Sequence, residues 1–292
     1  MPPHPLAEVF GFPTSNFSEK AQRYRSLKLC PFNNRVPNCT KDSIQRPLGV
    51  CSVFSRTGDV TITCPVRFRQ EWLIAEDAAK FFFPEGTRWT SLSEIRVHDR
   101  SGAVMGNIDI VIVAFDDKDR VVDFGSVEVQ AVYISGNIRN PFEQYMENPL
   151  ENHSMTWQSR LYPRADYLSS SRKRLLPQLL TKGGILNSWG KKQVVALDRQ
   201  FFRTLPALDA VSREDAEIAW MIYDLVYDTD QNLYNLKLEQ IYYTEFQPAL
   251  ERIVMAEPGP IEGFIEHLQA KLDQKLDRGE IPPDTLDLAG YL

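Results

Sequence analysis

Two short stretches carry the side chains best suited to chemistry. In GNIDIVIVAF, residues 106–115, Asp109 is the one polar residue from Ile108 onward. In VEVQAV, residues 127–132, Glu128 and Gln130 interrupt another apolar run. Positions i and i+2 of a strand face the same way, so Glu128 and Gln130 project side by side. A buried carboxylate without a partner is costly, so Asp109 needs a cation, strong donors or solvent. DDKDR, residues 116–120, reads as a hairpin turn. A hairpin centred near residue 118 sets Asp109 roughly opposite Glu128. Two facing carboxylates with no basic side chain between them repel, and a divalent cation resolves the repulsion. Hard carboxylate oxygens suit Mg²⁺, which keeps waters that a phosphate can replace. Mg²⁺ can activate water and neutralise charge at a scissile phosphate. Gln130 is neutral and could orient that water or hydrogen-bond a phosphate oxygen. The plainer reading is a strand with one wet face, on which Glu128 and Gln130 meet only solvent. Asp109, alone inside an apolar strand, shifts the balance towards a site.

The second cluster is made of cysteine. Cys30, Cys39, Cys51 and Cys64 are the only four, spaced C-x8-C-x11-C-x12-C in a stretch rich in Pro, Asn, Gly and Thr. Two disulfides would suit a secreted protein, and nothing signals secretion. Unrelated thiols would be spread along the chain. A tetrahedral four-thiolate metal site explains both the clustering and the loop-rich context, although close C-x2-C pairs are absent. Zinc is the default ion on ligand softness, and iron also suits four sulfurs. Four protein ligands leave no position for substrate, so the role would be structural.

These residues must be held by a chain of 292 residues, 43% hydrophobic and 25% charged, which is ordinary for a globular protein. The N-terminal MPPHPLAEVF lacks the basic and apolar regions of a signal peptide. No apolar run approaches the roughly 20 residues of a membrane helix. A cytoplasmic protein with no membrane partner is expected. The net charge of −6 argues weakly against nucleic acid, but the charge is segregated. Thr156 to Lys192 holds eight Lys/Arg (Arg160, Arg164, Arg172, Lys173, Arg174, Lys182, Lys191, Lys192) against one acid, Asp166. From Asp209 to the end there are six against eighteen. A basic face can therefore coexist with an acidic body.

The periodicities predict an α/β chain without repeats. Residues 1–70 form a turn-rich, cysteine-bearing section and 71–292 the remainder. A helix is expected over 71–83, and another opening in SLSEIRV (91–97), where Ser91 and Glu94 have capping-box spacing. Strands are expected at 106–115, 121–134, 192–202 and 238–246. A helix or loop is expected at 140–148, and helical character over 166–185 with Pro177 as a kink or boundary. Ile218, Met221, Ile222 and Leu225 fall at i, i+3, i+4, i+7, which predicts a helix over 212–228 with Ser212 as N-cap. A last helix aligns Ile261, Phe264, Ile265, Leu268 and Leu272 and stops before Gly279 and Pro282.

A strand Asp followed by a hairpin and an E-x-Q strand resembles the PD-(D/E)XK nuclease core, in the variant where the usual Lys is Gln. The upstream CPF…C…GVCS…ITCPVRF is similar to the four-cysteine region of NotI-type restriction endonucleases. The order of sections matches as well, so the resemblance covers most of the chain. It implies a PD-(D/E)XK core of mixed sheet and flanking helices. It also implies a homodimeric, Mg²⁺-dependent type II restriction enzyme of a bacterial cytoplasm that cuts palindromic double-stranded DNA. It implies iron rather than zinc on the four cysteines. Asp109 and Glu128 become the Mg²⁺ ligands, Gln130 takes the place of the Lys, and Glu94 is an additional acidic candidate. Ile108, where the family motif has Pro, departs from the pattern. Arg172, Lys173 and Arg174 become candidates for contact with phosphates or guanine edges.

Rival readings make different demands. A metal-bearing DNA-binding protein without catalysis would bind without Mg²⁺-dependent cutting. A His-Asn-His nuclease needs a catalytic histidine, and His4, His98, His153 and His267 show no such arrangement. A cysteine nucleophile conflicts with the commitment of every thiol to one cluster.

Overall fold

The computed structural model describes residues 4–158, 162–255 and 258–277. Arg160, and the Gly279 and Pro282 read as the stop of the last helix, lie outside the described residues. The chain divides into two units, Met1–Val254 and Met255–Leu292. The second carries a single described helix, Ile261–Asp277.

The first unit begins with a small four-stranded sheet. Its strands are β1 (Leu6–Val9), β2 (Phe12–Pro13), β3 (Val50–Phe54) and β4 (Val60–Ile62), in the order β2-β1-β3-β4. A mixed six-stranded sheet follows. β5 (Trp89–His98), β6 (Val104–Phe115) and β7 (Val121–Gln130) form an antiparallel meander. The β6–β7 turn is built by Asp116, whose Oδ1 accepts from the Lys118 and Arg120 amides, while Asp119 takes φ 57°. After β7, a separate ribbon pairs β8 (Tyr133–Ser135) with β9 (Arg164–Asp166). β10 (Gln193–Asp198) runs parallel between β7 and β11 (Ile218–Asp228), and β12 (Leu233–Thr244) closes the far edge.

Both faces of the large sheet are covered, which is why β10 is buried along its whole length. On one face the helix Leu73–Phe82 packs Ile74, Ala78 and Phe81 against Ile110, Ile112, Val127 and Met221. On the other, Leu175, Leu176, Leu179 and Phe246 meet Val195, Leu197, Trp220 and Ile222. The first three belong to an irregular helix over residues 167–188 and Phe246 to the helix Phe246–Val254. The result is a layered α/β arrangement.

Two expected helices are strands. Residues 91–97 lie in β5, not a helix, and Ser91 pairs with Ile112 across the β5–β6 ladder. The spacing of Ser91 and Glu94 matched a capping box, but β6 offers this segment strand partners from Trp89 to His98, broken at Glu94. Residues 218–228 are β11, with Ile218 through Tyr223 all buried. A central strand covered on both faces is apolar at every position, and a continuous run satisfies helical spacing by default. Ser212 hydrogen-bonds Asp215 in the preceding turn rather than capping a helix. The strand expected at 192–202 ends at Asp198, whose carboxylate caps the short helix Arg199–Phe202. The strand expected over 121–134 stops at Gln130, β8 being separate.

Three ties fasten the small sheet to the large one. Asp198 Oδ2 accepts from the Ile62 amide at 3.0 Å, and the Val132 amide donates to Ile62 O at 2.9 Å. The third is the fully buried pair Glu8–Arg67. Arg67 Nε lies 3.0 Å from both Glu8 oxygens, and Ser52 Oγ donates to Glu8 Oε2. The remaining guanidinium nitrogens reach Gln70 Oε1 and Tyr234 O. Breaking such a pair leaves a charge buried alone, so Arg67→Met is expected to cost about 3–5 kcal/mol. Urea denaturation of the two proteins side by side measures it.

Candidate active site

β6 and β7 separate where the polar residues begin. Their ladder runs from Phe115↔Val121 to Ile110↔Val127, so extending the register one step sets Asp109 across from Glu128. Beyond the last pair, Asp109 turns its carboxylate into the ladder and Oδ2 accepts from the Val129 amide at 2.9 Å. On its other side, Ser93 pairs with Ile110 and Ile95 with Ile108, which places Glu94 across from Asp109. Glu94 has φ 58°, sits on the exposed surface and pairs with Arg35 at 2.9 Å. The structure therefore aligns Glu94, Asp109 and Glu128 on three neighbouring strands. Glu94, which the sequence offered both as a capping-box residue and as an additional acidic candidate, lies on a strand beside Asp109.

Glu128 and Gln130 do share a face of β7, but it is not wet. They are only 4% and 3% exposed. What covers Glu128 is Lys182, whose Nζ donates to Glu128 Oε2 at 2.6 Å and to Asn107 O at 2.6 Å. The expectation of facing carboxylates without a basic side chain beside them is thus corrected. The cation comes from a distant segment, and only the tertiary packing brings it in. Glu128 Oε1 is buried without a hydrogen-bond partner. Burial first, and Asp109 second, push the Glu128 carboxyl up to about 8, against the opposing pull of Lys182. Burial also raises Asp109, while the Val129 amide, Lys182 and Arg69 oppose it. An orphaned buried oxygen beside a second carboxylate fits a divalent cation. Asp109 and Glu128 would hold it, and Glu94 stands across the strand.

Lys182 left a signal in the sequence that its inclusion in the basic stretch obscured. It is followed by two glycines and preceded by the leucine-rich RLLPQLLT. Its helix is a succession of α and π turns, with Lys182 in the π turn Leu179–Gly183. Pro177, which lacks an amide hydrogen, sits between the two π turns. A Cβ on Gly183 would lie 2.9 Å from Gln193 Oε1 and 3.1 Å from the Phe246 ring, so glycine lets the helix approach the sheet.

A groove of roughly 890 Å³ opens at this end of the sheet. Asp109, Gln130 and Ala131 line one wall, Lys41, Thr63 and Cys64 another, and Arg139, Arg174 and Gln178 the rim. Gln130 Nε2 donates to Ala131 O at 2.8 Å. Of the three basic residues singled out, Arg174 enters the groove and lies over the Tyr133 ring at 5.2 Å, while Arg172 and Lys173 are exposed on the same π turn. Arg139 is paired with Asp42.

The four cysteines meet at the far side of that wall. The Leu29–Asn38 bridge brings Cys30 and Cys39 together, and the β3–β4 hairpin does the same for Cys51 and Cys64. All four line one enclosed cavity of about 10 Å³, room for a single water-sized body. They are free thiols, not disulfides. Burial pushes Cys30 up to about 11 and raises Cys39 and Cys51, the thiols reinforcing one another. Among the described residues no three His, Cys, Asp or Glu side chains are drawn tightly onto one point. In number, softness and shared enclosure the four sulfurs nonetheless fit a tetrahedral metal.

A family model described as "Restriction endonuclease NotI" matches residues 15–236 of the chain. No curated protein matches it. Among the described residues no helix is long and apolar enough to cross a membrane.

Proposed function

The chain belongs to the NotI restriction endonuclease family, and from that premise we propose that it is a Mg²⁺-dependent type II enzyme. It acts as a cytoplasmic homodimer and hydrolyses both strands of double-stranded DNA at a palindromic site. The observation that carries this reading is the closeness of the Glu128 carboxyl to Asp109, which lines the groove, with Glu128 Oε1 left without a hydrogen-bond partner. Asp109 and Glu128 hold the metal, in the manner of a PD-(D/E)XK core. A bound Mg²⁺ would supply an activated water and a counter-charge at the scissile phosphate. Gln130, on the groove wall, orients water or a phosphate oxygen. Glu94 is a third acidic group near the metal. Cys30, Cys39, Cys51 and Cys64 hold a structural iron, with zinc as the alternative, and so stiffen the wall that carries Lys41 and Thr63. A DNA-binding protein without catalysis is the less favoured reading, since it gives the closeness of Asp109 and Glu128 no task.

Digestion of a long DNA of known sequence, with Mg²⁺ and with EDTA, tests the proposal. Discrete fragments with one shared end sequence, formed only with Mg²⁺, are the expected outcome; intact DNA under both conditions overturns it. Arg172, Lys173 and Arg174 supply phosphate or base contacts. Binding should weaken as salt rises, and Arg172→Ala with Arg174→Ala should lower the slope of log affinity against log salt by roughly two, about one per lost phosphate contact. An unchanged slope would mean that this turn lies away from the duplex.

A further inference from the structure

Lys182 is a lysine only 4% exposed that belongs to no part of the family motif. A buried ammonium needs pairing, and Lys182 has it in an unusual form. Its two partners are Glu128 Oε2 and the Asn107 carbonyl, while Glu128 Oε1 has none. The other buried ion pair among the described residues, Glu8–Arg67, shows what a purely structural arrangement looks like. Glu8 uses both oxygens, on Arg67 and Ser52, and Arg67 spends its remaining donors on Gln70 and Tyr234. The Lys182–Glu128 pair is half-satisfied on the carboxylate side, on the strand face shared with Gln130.

The backbone is shaped to deliver this contact. Gly106 has φ +123°, and a Cβ there would come within 3.4 Å of Lys182 Cδ. The π turn and Gly183 bring the helix down onto the sheet from the other side.

We propose that Lys182 is a positioning residue of the cleavage site, anchoring Glu128 by Oε2 alone so that Oε1 is presented to the divalent metal. Its ammonium is also the fixed positive charge that Gln130, being neutral, does not supply. The orientation of Glu128 is then set before metal arrives, as the outer partners of metal ligands do elsewhere. This rests on the reading of Asp109 and Glu128 as metal ligands.

The test compares full-length wild type, Glu128→Ala, Lys182→Met and Lys182→Arg. Mn²⁺ affinity is measured by electron paramagnetic resonance without DNA, and the Mg²⁺ concentration for half-maximal cleavage is measured separately. Lys182→Met is expected to weaken Mn²⁺ binding by about tenfold or more and to raise the Mg²⁺ requirement in proportion. Lys182→Arg, which keeps the charge but not the single-point reach, is expected to lie between it and wild type. If Glu128→Ala cleaves normally, the metal-site reading itself has failed. If Glu128→Ala is inactive while folded Lys182→Met keeps wild-type Mn²⁺ affinity and Mg²⁺ requirement, this proposal alone is overturned. Should Lys182→Met fail to fold, Lys182→Arg decides, and a wild-type Mg²⁺ requirement in that variant is the overturning result.

Discussion

Asp109→Ala and Glu128→Ala are each expected to lower Mg²⁺-dependent cleavage at least about a thousandfold, roughly 4 kcal/mol of transition-state stabilisation. DNA binding should survive, because the proposed phosphate and base contacts would lie along the groove rather than at the metal. It should even tighten slightly, since one carboxylate fewer faces the phosphates. The pH dependence has a defined sign. Burial and Asp109 push the Glu128 carboxyl up to about 8 against the pull of Lys182, and metal uptake requires the carboxylate form. Raising the pH towards 8 is therefore expected to lower the Mg²⁺ requirement of the wild type. Gln130→Ala should be severely impaired, and Gln130→Glu should keep some activity by recruiting the metal differently. Cleavage with Mg²⁺ is to be read beside binding with Ca²⁺, similar in charge but looser in geometry. Normal rates in both alanine variants would place the chemistry elsewhere.

Cys51→Ser is expected to have the largest effect on stability. Cys51 lies on β3, one residue before Ser52, which supports Glu8 of the buried pair with Arg67. Loss of one ligand from a closed four-thiolate site removes most of its metal affinity, and apparent binding energies at such sites run to about 10–16 kcal/mol at neutral pH. Because the same hairpin ends beside the groove, DNA binding should fall together with the melting temperature. Elemental analysis should find about one iron or zinc ion per wild-type chain and much less in the variant. A wild-type protein that carries no metal and melts as high as the metal-loaded form would remove the site from the account. The raised thiols add a second signature, since metal loading must displace protons from Cys30, Cys39 and Cys51 and should weaken as the pH falls.

Much of the frame is visible in local pattern. The hairpin of β6 and β7 follows from two β-branched runs about one short polar turn, and its register follows from the turn length. The helix Leu73–Phe82 shows its amphipathic face directly. The failures have two causes. β11 is covered on both faces, and continuous burial erases the period that separates strand from helix. In β5, spacing typical of a helix start was overruled by backbone partners that exist only because β6 lies alongside.

The sequence by itself determined that Glu128 and Gln130 share a face, that Asp109 stands near Glu128, and that every thiol falls in one window. Strand alternation, hairpin register and plain counting require no knowledge of distant residues. The tertiary structure alone decided what the carboxylates meet. Glu94 comes alongside Asp109 through the pairing of β5 with β6, and Lys182 arrives from 54 positions beyond Glu128. A buried charge is tolerated only where the fold supplies its counter-charge, and that supply depends on how a π-turned helix lands on a sheet. No local period or spacing encodes that landing, though the glycines at 106 and 183 mark where it occurs.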